Sequence, residues 1–240
     1  GSDTLGLNSA QAVVTTTQSN VSNIETIRVR DALNGTLSVD FFGASDAVLQ
    51  RAAAGNLTGG ASTITLPTGA RMVDLNNDDT AHALEIKISG SATNDTLALE
   101  LNDADLGAGL TVTGGETVNM VSDNATNGAA ADGSANTGTT VTVTPTAGNA
   151  ILNISGPVAL TLTGAVTAQT VNASAMTAAL TMAADNGVAT NVSVTGGAGA
   201  DTLYGSSATG DAVNGGAGND RIEVSQTADQ ADVLSGGDGQ

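Results

Sequence analysis

The stretch "GGAGADTLYG" at Gly196–Gly205 is answered by "GGAGNDRIE" at Gly215–Glu223, and a third copy opens as "GGDGQ" at 236–240. Each full copy sets two adjacent glycines, a spaced third glycine, an aspartate and, two residues on, a lone apolar side chain, Leu203 or Ile222. The glycine-rich part reads as a loop and the x-apolar-x tail as a short strand, a unit that turns and crosses once. Glycine permits positive φ and lets carbonyls point inward with no Cβ in the way, while aspartate adds anionic oxygens. Backbone and carboxylate oxygens together are the ligand set that calcium prefers. A chain built from such units is a stack of short parallel strands.

Spacing decides which loops meet. If each nine-residue unit crosses once, loops two units apart lie on the same side and stack. Asp201 and Asp220 are 19 residues apart, two units plus one residue. The reading therefore predicts one good ion site from the loops carrying Gly196, Gly197, Gly199 and Asp201 and carrying Gly215, Gly216, Gly218 and Asp220. The copy between them, "GSSATGDAVN", keeps Gly205 and Asp211 but has Ser206 in place of its second glycine. A weaker site on the opposite edge would pair Asp211 with Asp229 or Asp232, although "SQTADQAD" carries no glycine.

Outward from the repeats, apolar and small polar residues alternate in short runs with the period of strands that bury one face. From 139 onward these are "TTVTVT", "AILNIS", "VALTLT", "QTVNAS", "AALTMA" and "NVSVT", followed by "DTLY", "DAVN", "DRIEV" and "DVLS". Before them come "NIETIRV", "TLSVDF", "STITL", "RMVDL", "ALEIKI", "DTLALEL" and "LTVTG". The segment "ASDAVLQRAAAG" at 44–55, with a serine and aspartate placed to cap it and a closing glycine, predicts one short helix. The expected organisation is all-β: a β-rich part at 1–123, a loop at 124–138 poor in large apolar residues, solenoid-like strands at 139–195 and a calcium-binding roll at 196–240. The opening "GSDTLGL" either echoes "GADTLYG" or begins with a cloning remnant, and the break inside "GGDGQ" reads as a repeat array cut short.

Composition narrows the function. Only three residues of 240 are aromatic and none is tryptophan, so the interior must be thin. Twenty-four acidic against six basic residues give a formal charge of -18, which disfavours nucleic acid and anionic membranes and favours cations. No apolar run reaches the length of a membrane span, so no insertion is expected. Without cysteine there are neither disulfides nor thiol chemistry, and a single histidine, His82, supports neither a zinc cluster nor a convincing general base. No enzymatic activity is expected. A carbohydrate-active β-helix would use paired carboxylates, but such enzymes usually also display aromatic or basic residues for sugar, and both are scarce here.

Two further acidic groups invite comparison with ion sites. In "DLNNDDTAHALE", Asp74, Asn76, Asp78 and Glu85 fall at positions 1, 3, 5 and 12 of an EF-hand loop, but Asp79 stands where glycine is needed and the flanks alternate like strands. A solvated acidic turn is the better reading. The second group is Asp95, Glu100, Asp103 and Asp105, ending in the glycine-containing "DADLGAG".

The succession "GGETVNM", "VNASAMTAALT" and "VTGGAGADTLYGSSATGDAVNGGAGNDRI" resembles the C-terminal part of RTX-type surface-layer proteins of Gram-negative bacteria, loosely over most of the chain and well over 110–240. "NIETIRV" repeats the Glu-Thr-apolar element near the start. The resemblance implies a lattice-forming region exported by a type I system to the cell surface, where calcium drives folding and self-association into a two-dimensional sheet. Contact with cell-surface polysaccharide would fall to regions outside this chain. The uncleaved C-terminal secretion signal of that family is not visible. RTX adhesins share the repeats and are the main alternative.

Overall fold

A computed structural model of the chain describes residues 2–7, 10–11, 23–29, 33–39, 44–50, 62–76, 82–89, 94–102, 105–106, 109–123, 136–138, 141–144, 150–183, 191–224 and 231–239. Every strand pair among these residues is parallel, and every pair joins strands roughly one coil apart in sequence, the arrangement of a β-solenoid. The longest sheet has eleven strands: Thr4–Leu7, Thr26–Val29, Asp46–Gln50, Ala70–Asn76, Thr96–Asn102, Thr117–Asp123, Ile151–Gly156, Thr170–Met176, Ser193–Thr195, Ala212–Asn214 and Val233–Ser235. It runs unbroken from one end of the described chain to the other.

Two six-stranded sheets close the coils. The second comprises Thr36–Ser38, Ser62–Leu66, Leu84–Ile88, Leu110–Thr113, Val141–Thr144 and Val166–Thr167; the third comprises Asp105–Leu106, Asn136–Gly138, Leu160–Leu162, Leu180–Met182, Thr202–Tyr204 and Arg221–Glu223. Between about 96 and 167 each coil contributes to all three sheets, and after 167 only the long and third sheets continue. The cross-section therefore changes from three-sided to two-sided as the glycine repeats approach. A small pair, Ala10–Gln11 with Leu33–Asn34, completes the set.

Alternation in the sequence becomes inside and outside. In the strand Ser62–Leu66 the first, third and fifth side chains are buried and the others half-exposed, and Thr117–Asp123 alternates the same way. The inward rows, among them Ile27, Val73, Leu99, Met120 and Ile154 from the long sheet and Ile64, Ile86 and Val112 from the second, fill one continuous core. Toward the C-terminus the core thins to Val194, Leu203 and Val213.

Two expectations are corrected. Residues 46–50 of the expected helix form a strand, because the neighbouring strands Thr26–Val29 and Ala70–Asn76 hydrogen-bond to it on both sides and bury Ala47; residues 51–55 lie outside the described residues, among which there is no helix. The N-terminal part is not a separate body on which the solenoid packs. Thr117–Asp123 pairs in register with Ile151–Gly156, so the long sheet passes straight across the expected loop. Of that loop, Asn136–Gly138 is a strand of the third sheet, and 124–135 lie outside the described residues.

Candidate metal centre

The glycine loops occupy one corner of the two-sided coils, where the chain leaves the long sheet for the third. Loop 196–201 leads from Ser193–Thr195 into Thr202–Tyr204, and loop 215–220 leads from Ala212–Asn214 into Arg221–Glu223. Residues 236–239 follow Val233–Ser235 at the same corner. The pairing of Thr202 with Arg221 and of Ser193 with Ala212 sets the repeat at 19 residues, so the three loops stack directly.

Glycine is required for different reasons in successive loops. Gly216 and Gly218 have φ of +97° and +116°, where a side chain is strained, whereas Gly196, Gly197 and Gly199 have no positive φ. Those three are fixed by close approach: a Cβ on Gly197 would meet the Ala173 carbonyl oxygen at 2.9 Å, and one on Gly199 the Ala178 carbonyl oxygen at 2.7 Å.

The first glycine of each loop marks a convergence of oxygens. A Cβ on Gly196 would lie 2.5 Å from Asp201 Oδ2 and closer still to the Gly215 carbonyl oxygen. One coil on, a Cβ on Gly215 would lie 2.7 Å from the Gly236 carbonyl oxygen and closer still to Asp220 Oδ2. Each gap between loops thus faces a carboxylate oxygen of one loop toward a carbonyl of the next. Beside the second gap is a hollow of about 290 Å³ lined by Gly218, Asn219, Asp220, Gly236, Gly237 and Gly239.

The two aspartates are held differently. Asp201 is 1% exposed; its Oδ1 accepts from the Leu180 amide at 2.7 Å and its Oδ2 from the Gly197 amide at 2.6 Å. Burial lifts its carboxyl above the usual value, the two amides pull it down, and the nearby Asp220 carboxylate pushes it up again. Asp220 Oδ1 accepts from the Asp201 amide at 2.9 Å, but Asp220 Oδ2 is buried with no donor. An orphaned carboxylate oxygen, a facing carbonyl and a hollow beside them fit a calcium ion. Among the described residues no three of His, Cys, Asp and Glu converge, so such an ion relies on backbone oxygens.

The opposite corner is arranged otherwise. Asp211, 1% exposed, accepts from the Val192 amide at 2.9 Å, from the Ser206 amide at 2.7 Å, and from the Ser206 hydroxyl at 3.0 and 3.1 Å. Where the glycine corner offers a carbonyl, a Cβ on Gly205 would meet the Val224 methyl at 3.5 Å. Asp232 Oδ1 accepts from the Gly210 and Asp211 amides at 2.9 and 3.0 Å, and Asp229 lies outside the described residues.

A wider pattern went unread in the sequence. Acidic residues immediately before strands of the long sheet accept the amide of the strand-heading residue one coil back: Glu25 from Asp3 at 2.6 Å, Asp95 from Gly69 at 2.5 Å and Glu116 from Asp95 at 2.8 Å. The signal was present as Asp/Glu-Thr-apolar at 3–5, 25–27, 95–97, 116–118 and 201–203.

The remaining acidic groups are dispersed. Asp74 lies on Ala70–Asn76 of the long sheet and Glu85 on Leu84–Ile88 of the second, where it accepts from Thr63 and Thr113 hydroxyls at 3.3 and 3.2 Å. An EF-hand loop cannot span two sheets, and Asp78 lies outside the described residues. Asp95 heads its strand while Glu100 sits on the outer face, and Asp103 lies outside the described residues. His82 is half-buried just before Leu84–Ile88.

Compared with known families, residues 186–210 and 193–222 match the RTX calcium-binding nonapeptide repeat (4 copies). The chain therefore carries RTX nonapeptide repeats, which are calcium-binding motifs. Searches of curated proteins and of solved structures return no match.

Proposed function

We propose that this chain is a structural, calcium-dependent, self-assembling segment of an extracellular surface layer, with its ions strung along one corner of the solenoid. The observation that carries the reading is the repeated pairing of oxygens: Asp201 Oδ2 with the Gly215 carbonyl, then Asp220 Oδ2 with the Gly236 carbonyl. Gly196, Gly197, Gly199, Gly216 and Gly218 let the loops approach closely enough for further carbonyls and water to complete the coordination. The ion supplies positive charge between buried carboxylates, so its binding free energy becomes folding free energy of the last coils. At the opposite corner the Ser206 hydroxyl already satisfies Asp211, and this reading places no ion at Asp211 or Asp232.

Export and lattice formation are supported by the RTX repeats, by the strongly acidic composition and by a rod-like stack with few aromatic residues. Calcium titration followed by circular dichroism, with bound ions counted by elemental analysis, tests the metal reading; no spectral change at millimolar calcium would overturn it. Electron microscopy of the full-length protein with calcium tests assembly. Ordered sheets are expected, and protein that stays monomeric would sink the surface-layer role while leaving the calcium sites intact.

A further inference from the structure

On the outer face of the long sheet, away from the glycine loops, Asp74 and Glu100 lie directly opposite each other on adjacent strands. Asn102, two residues beyond Glu100, donates its Nδ2 to Asp74 Oδ1 at 2.8 Å. Asp74 is only 5% exposed and Asn102 is fully buried. The other end of that amide, Asn102 Oδ1, is buried with no donor. A hydrogen bond made only to position Asp74 would leave this oxygen desolvated to no purpose, a cost that native proteins avoid or use.

We propose that Asp74, Glu100 and Asn102 form a site for a hard divalent cation of calcium's kind, independent of the glycine loops. Both the amide and the carboxylates are oxygen ligands suited to such an ion, and the amide nitrogen on Asp74 holds the amide oxygen beside the same carboxylate. Desolvation lifts the Asp74 carboxyl above its usual value; the Asn102 bond lowers it, Glu100 raises it and Arg28 lowers it least. Arg28 does not neutralise the pair in the ion's place. Val48 separates it from Asp74 in register, and its Nε is itself buried without an acceptor. Water completes the coordination sphere.

The test uses the whole chain and calcium itself, with ions counted by equilibrium dialysis and hydrogen exchange followed over 196–239. Asp74→Asn should lower the count by one ion per chain while protection of the glycine loops persists. Asn102→Asp adds a like charge when no ion is present and a stronger ligand when one is. Its melting temperature should therefore fall below wild type in chelator and rise above it in calcium. A purely structural Asp–Asn bond predicts a fall in both conditions, and that result, or an unchanged ion count in folded Asp74→Asn, overturns the proposal. If Asp74→Asn does not fold, the sign reversal in Asn102→Asp decides alone.

Discussion

At Gly215 a single methyl group separates metal binding from backbone strain. Its φ is not positive, so alanine is tolerated by the backbone, but the new Cβ would stand where Asp220 Oδ2 and the Gly236 carbonyl converge. Gly215→Ala should weaken calcium binding at that gap by roughly 100-fold or more, since even groups that merely support metal ligands are worth about 10–100-fold. Gly216→Ala differs: at φ +97° it carries strain of about 1–3 kcal/mol with or without the ion. Melts of both variants in calcium and in chelator distinguish the two causes. Asp201 gives a pH test. Its carboxyl is raised by burial, so in chelator its contribution is fully present below the unfolded value of 3.8 and is lost as pH rises through the folded value. Calcium needs the carboxylate, so its affinity should fall as pH drops through that same window; melts and titrations between pH 3.5 and 7 would show opposite slopes. The aspartates and glycines of this corner were legible in the sequence because their side chains, or lack of them, do the work. The facing carbonyls were not, because every residue has one and only the stacking aims it.

Among the elements, corners matter more than strands. The degenerate repeat replaces a glycine with Ser206, whose hydroxyl donates to Asp211 in the setting where the other corner faces a carbonyl toward a carboxylate. Ser206→Ala should cost about 1.5–3 kcal/mol, the range for a hydrogen bond to a charged group, and by the same amount in calcium and chelator. A loss confined to calcium would instead place an ion there. At the heads of the long-sheet strands, Glu116→Ala strips the Asp95 amide of its acceptor and should cost about 1–3 kcal/mol, measurable by denaturant unfolding. Period-two alternation made the longer strands readable. "ASDAVLQ" misled because a serine and aspartate can cap a helix or head a strand, and only the flanking strands settle which. Two-residue strands such as Asp105–Leu106 and Val166–Thr167 are too short for any period to register, so the third side of the central coils stayed hidden.

Across the whole molecule, core and ion trade places. Coils from 62 to 183 bury leucine, isoleucine and methionine, whereas the last coils bury little more than Val194, Leu203 and Val213, and Leu234 is 43% exposed. Ordering each residue costs about 1–2 kcal/mol of chain entropy, and so thin a core opposes it poorly. In chelator, amides of 196–239 should exchange rapidly while those of 62–183 stay protected; adding calcium should extend protection to the end. Equal protection in both conditions would refute the switch. The repeat motif made the C-terminal architecture legible, but its reach did not, because the N-terminal coils use leucine and isoleucine where the last coils use glycine and aspartate. Their common pairing appears only when strands some 20–30 residues apart are brought side by side.

The unbroken eleven-stranded sheet also makes the chain a ruler. Parallel neighbours sit about 4.8 Å apart, so ten intervals span roughly 48 Å. Gaining or losing one coil would change that span by a single such step and leave the outline of the rod as it was. The length of this molecule is therefore quantised, and any spacing it sets between its surroundings is counted in whole coils.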